Sequence, residues 1–189
     1  LEQMLDDLRL AGAKDIMLVA HSMGSQLTME VLRQMALRGN RATLASLGGV
    51  TLISPDIDPA LFRAQAADIG TLPDPFVIFV SRRDPALRLS ARLTGHENRL
   101  GNIASLEEVT GLDVTVIDVT EARDASSRHL AAATSPTLIA FLRQTEAVRR
   151  SIESNESGQV GLLPGATLIA KEATAVMLAP AMVLGEELQ

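Results

Sequence analysis

Residues 16–24 read IMLVAHSMG, an apolar run that stops abruptly on a serine set among small residues. Ile16–Ala20 is short, apolar and partly β-branched, which suits a strand buried on both faces. Beyond Gly24, Leu27, Val31 and Met35 recur at helical intervals alongside Met29, Leu32 and Ala36, and Gly39-Asn40 ends that helix. The stretch is therefore strand, tight turn, helix, with Ser22 on the turn. That context makes a nucleophile elbow possible, a device in which a strained turn lifts a serine hydroxyl above a sheet edge. Gly24 satisfies the demand for a small residue two positions after the serine, and Ala20 replaces the usual glycine two positions before it. The same pentapeptide also suits a plain helix start, because serine is a favoured N-cap.

The rest of the chain repeats the alternation. Residues 1–10 place Leu1, Met4, Leu5 and Leu8 at helical spacing, with Gly12 as a stop. Further strands are expected at 49–55, Phe76–Val80 and Val114–Val119. Between them lie a helix over Ile57–Ala67 with Pro59 near its start, and short helical pieces at Ser90–Leu93 and Ala104–Val109. A closing helix is expected over Pro136–Val148. Near-continuous apolar strands separated by helices imply an α/β fold, a parallel sheet with helices on both faces. The expected domain is residues 1–150; residues 151–189 begin with the polar SIESNESGQ and continue Ala-rich, reading as linker and tail.

Composition narrows the function classes. The 189 residues are 47% hydrophobic and carry a formal net charge of -6, as a folded domain with a mildly acidic surface would. That field does not draw nucleic acid or an anionic membrane. Four Phe with no Trp or Tyr leave little for base or sugar stacking. No Cys means no disulfide, thiolate nucleophile or Cys-based zinc site, and three scattered His give no metal spacing. No apolar run approaches the roughly 20 residues of a membrane-spanning helix. The chain opens on Leu1 without an initiator Met or signal-peptide pattern, the mark of a processed or truncated start, so cytoplasm and cell envelope both stay open.

A serine needs a base to take its proton and an acid to orient that base. In a parallel sheet such groups collect at the carboxyl ends of strands, and Asp then His should follow later strands in that order. Asp84 stands a few residues past Phe76–Val80, and His129 lies in the polar loop after Val114–Val119. The expected site is thus Ser22 as nucleophile, Asp84 as acid and His129 as base, with the Met23 amide as oxyanion donor at the helix N-terminus. Each has a plainer reading: Asp84 as a helix cap, His129 as a solvated loop histidine. Asp56 and Asp58, in SPDIDP after the second strand, are rival acids, better suited to capping the next helix or shaping the pocket rim. His21 is too near its neighbour to serve as base and lines the pocket or packs; His96 is expected to be exposed. Arg82, Arg83 and Arg88 flank Asp84, and one of them could tether it or bind a substrate carboxylate.

These residues resemble the α/β-hydrolase superfamily over roughly residues 1–150. More narrowly AHSMGS, SPDID, SRRDPALRLSARLTG and NRLGN look like an uncharacterised bacterial esterase/lipase-like group, domain of unknown function 900. The resemblance implies an eight-stranded sheet in which Ile16–Ala20 is the fifth strand and the three later strands the sixth to eighth. It assigns the same triad, needs no cofactor, and implies a small acyl or ester substrate. It also implies that this chain is the C-terminal half of such a hydrolase, lacking the loop that supplies the second oxyanion donor. The fifth strand would then show an unpaired apolar edge, open to the N-terminal half or to a second copy.

Overall fold

The computed structural model describes residues 1–96, 98–103 and 105–120, and the backbone of Thr167–Ala170. Five helices and five strands lie within them: α1 Glu2–Leu10, β1 Ile16–His21, α2 Met23–Leu37, α3 Arg41–Leu44, β2 Leu47–Ile53, α4 Pro59–Ile69, β3 Phe76–Val80, α5 Pro85–Leu93, β4 Thr115–Asp118 and β5 Thr167–Ala170. Two 3₁₀ turns, Leu100–Asn102 and Leu106–Val109, separate α5 from β4. The sheet order is β1-β2-β3-β4-β5. The first four strands are parallel, and β5 pairs antiparallel with β4. This is the α/β architecture that the alternating pattern predicts.

Why the central strands read as unbroken apolar runs is visible in β3, FVIFV, all five of whose residues are buried. Phe76, Ile78 and Val80 join Val50, Leu52, Val114 and Val116 on one face, against Met29, Leu32 and Met35 of α2 and Phe62, Ala66 and Ile69 of α4. Val77, Phe79 and Ile117 fall on the alternate positions and are buried as well. Full burial of each large side chain contributes roughly 1.5–3 kcal/mol, and strands and helices share that contribution.

β1 stands at one end of the sheet and pairs with β2 alone among the described residues. Val19 on it is 47% exposed, and nearby in sequence Met4, Leu8, Met23 and Leu27 are exposed too. Leu5, in contrast, is wholly buried, so α1 does dock on the core.

Several boundaries differ from expectation. The helix expected at Ser90–Leu93 starts earlier, at Pro85, because Asp84 caps it and proline fits a first turn. The four-residue α3 was not foreseen. In the segment read as linker and tail, Thr167–Ala170 adds a strand to the sheet. The expected closing helix at Pro136–Val148 lies outside the described residues.

Candidate active site

The turn after β1 holds the most telling backbone in the molecule. Ser22 has φ 54° and ψ −125°, a conformation that a side chain bearing residue rarely adopts. Holding it costs on the order of 1–3 kcal/mol, so surrounding bonds must impose it. They are present: the Ser22 N–H donates to Ile53 O at 3.0 Å, and Ser22 O accepts from Ser25 N at 3.0 Å and Asp56 N at 3.2 Å. The Ser22 side chain makes no capping bond to α2, which removes the ordinary reason for a serine there. Met23 is the first residue of α2, where backbone N–H groups have no intrahelical acceptor. Its amide, the expected oxyanion donor, therefore stands at the positive end of the helix.

The argument for Gly24 needs correcting. A Cβ on it would meet nothing within 4 Å among the described residues, so close approach of strand and helix is not what demands glycine there. Ala20, 8% exposed, is the residue of the pentapeptide packed into the core.

Asp84 follows β3 and is fully buried. Its Oδ1 accepts from Ala86 N at 2.9 Å and Leu87 N at 3.2 Å, so it caps α5, and its own N–H donates to Ser81 O at 3.2 Å. None of this uses up a carboxylate, which has about four lone-pair sites. His129 lies outside the described residues.

Asp56 and Asp58, the rival acids, have separate duties. Asp58 caps α4 through Leu61 N at 3.0 Å and stands 2.9 Å from His96 Nδ1, so His96 is both exposed and paired. Asp56 accepts from Ser90 Oγ at 2.8 Å and lies 3.1 Å from Arg99 Nε, an ion pair not aligned as a hydrogen bond. His21 closes β1 opposite Ile53 and is half-buried.

One arginine beside Asp84 acts elsewhere. Arg82 donates through Nε at 2.9 Å and Nη2 at 2.6 Å to Asp118 Oδ2 at the end of β4, rather than tethering Asp84. The other Asp118 oxygen accepts from Thr120 N at 2.7 Å and from the Thr120 hydroxyl, while Arg82 N donates to Thr120 Oγ1 at 3.0 Å. The exits of β3 and β4 are thereby laced together. Sequence reasoning missed this pair. Its one signal was an acid ending the apolar run VTVID.

A mainly parallel sheet flanked by helices, with a strained turn after β1, fits the α/β-hydrolase fold. The family model for "Alpha/beta hydrolase of unknown function (DUF900)" matches residues 1–149, and the chain belongs to that family. No curated protein and no solved structure matches it. Among the described residues no cluster of three or more His, Asp or Glu gathers to hold a metal ion, and no helix is long and apolar enough to cross a membrane.

Proposed function

We propose that this chain carries the catalytic residues of a serine ester hydrolase working through an acyl-enzyme. The observation that carries the reading is the strained backbone of Ser22 between β1 and α2. Such strain persists where the structure over-determines it, and it clusters at working sites. In this mechanism the Ser22 hydroxyl attacks the acyl carbon of an ester and its proton passes to the His129 imidazole. The oxygen of the tetrahedral intermediate takes a hydrogen bond from the Met23 N–H. His129 returns the proton to the departing alcohol, and a water then cleaves the acyl-serine by the same route. Asp84 orients His129 throughout. An acyltransferase would share every step but the last, with an alcohol or amine replacing water.

The test is turnover of a short p-nitrophenyl ester by the protein carrying this chain. Ser22→Ala and His129→Gln should each abolish turnover without unfolding the protein; turnover undiminished in either variant overturns the assignment.

A second reading is a non-catalytic scaffold that takes a partner strand on β1, and the exposure of Val19 favours it. It predicts a defined complex or oligomer in size exclusion and no turnover dependent on Ser22.

A further inference from the structure

Resting on the hydrolase reading, we propose that Asp56 and Arg99 are positioning residues, a buried pair that holds the Ser22 elbow and the Asp84 loop in one frame. The exits of β1, β2 and β3 are separate loops, and nothing in a parallel ladder fixes one loop against another once pairing ends. Here a single strap does it. Residues 99–102 lie across two exits: Gly101 N donates to Pro55 O at 2.9 Å and Leu100 N to Ile57 O at 2.8 Å, while Gly101 O accepts from Ser81 N at 2.7 Å. Ser81 O in turn accepts from Asp84 N, and Ser22 O from Asp56 N. A continuous hydrogen-bonded path therefore runs from the serine to the acid through the strap.

The side chains close the same path. Asp56 Oδ1 takes Ser90 Oγ at 2.8 Å, which ties it to the helix that Asp84 caps, and it faces Arg99 Nε at 3.1 Å. Arg99 Nη2 donates to the Thr94 hydroxyl, which holds the guanidinium, and the Arg99 backbone N–H donates to Asn102 Oδ1 at 2.7 Å, which holds the strap's main chain. Both side chains are nearly buried, 9% and 13% exposed. Burying such a pair is seldom the most stable choice, since well-packed apolar residues often do as well or better. What an apolar pair lacks is the charge attraction that draws Arg99 to Asp56, made here without an aligned hydrogen bond at Nε. That attraction acts where the elbow and the acid loop meet.

The test uses Asp56→Asn, Arg99→Lys, Arg99→Met and the Asp56→Asn/Arg99→Met double variant, with KM, kcat and thermal midpoint read for p-nitrophenyl butyrate. Positioning predicts that kcat falls about 10–100-fold in Arg99→Met, the scale of a misplaced reacting group. KM should stay within about twofold, Arg99→Lys should recover part of kcat, and the double variant should be no slower than Arg99→Met. Asp56→Asn keeps the side-chain shape and carries the test if Arg99→Met does not fold. Variants that melt earlier yet keep wild-type kcat, or a double variant whose losses multiply, overturn the inference and leave the hydrolase reading intact. A wild-type protein no faster than Ser22→Ala overturns both.

Discussion

Gly101→Ala is the sharpest structural perturbation that the fold offers. A Cβ there would stand 2.6 Å from Leu87 Cδ1, 2.6 Å from Ser54 C and 2.7 Å from Pro55 N. Leu87 can rotate, but the other two atoms are backbone of the β2 exit. Ordinary contact begins near 3.4 Å, so the strap must retreat by about 0.8 Å. The retreat pulls directly on the bonds to Pro55 O and Ser81 N. Overpacking of this kind costs about 1–3 kcal/mol, and straining two buried hydrogen bonds adds about 1 kcal/mol. For a domain of this size, 2–4 kcal/mol corresponds to a melting point lower by roughly 4–16 °C. Gly24→Ala is the control, because its Cβ meets nothing within 4 Å among the described residues and alanine favours the helix by up to about 1 kcal/mol. Differential scanning calorimetry of both variants decides the matter. A Gly101→Ala protein that melts with the wild type, or a Gly24→Ala protein that melts well below it, refutes the packing argument.

Two further outcomes follow from backbone strain and from titration. Ser22→Gly should be more stable than Ser22→Ala by about 1–2 kcal/mol in urea unfolding, since only glycine relaxes at a positive φ of 54°; equal midpoints would mean that the turn is not strained. Hydrogen bonds from Asn40 and then Thr43 hold the Asp6 carboxyl below its usual range, as Gln34 and Gln65 do for Glu30. A carboxyl lowered on folding stabilises above its unfolded pKa and loses that contribution as pH falls, so stability should drop through the acid range. Glu108, pushed up by burial and by Asp58, works in the opposite sense. Asn40→Ala should therefore lower stability near neutrality and narrow the difference between about pH 7 and about pH 3. A difference equal to that of the wild type would show that this bond does not drive the acid response.

The fold was legible because its physics is local and periodic. FVIFV and VTVID say by composition alone that both faces are covered, and the helices between the strands say that they run parallel; IMLVA says the same of β1, where it is wrong, since Val19 is 47% exposed. The elbow was legible as a junction of strand and helix, although a helix cap explained the same letters. In the proposed reading the elbow is favoured by the backbone angles of Ser22, which no residue pattern encodes. Asp84 illustrates the opposite case, since one carboxylate caps α5 and remains the proposed acid. The strap and the Arg82–Asp118 lacing were invisible because they join segments far apart in the chain, as Arg82 and Asp118 are by 36 residues, where neither period nor propensity carries information. Gly24 was overread: it matched a pattern whose steric cause is absent there among the described residues. Gly101, where a side chain truly does not fit, drew no notice.

The central claim is that the position 22 hydroxyl is the activated nucleophile of this protein. Incubation with a fluorophosphonate, followed by peptide mapping by mass spectrometry, addresses it with no assumption about the substrate. A single adduct on Ser22, formed ever faster as pH rises through the imidazole range and lost in His129→Gln, is the expected result. A folded protein that takes no label at Ser22, or takes it equally well without His129, would contradict the account.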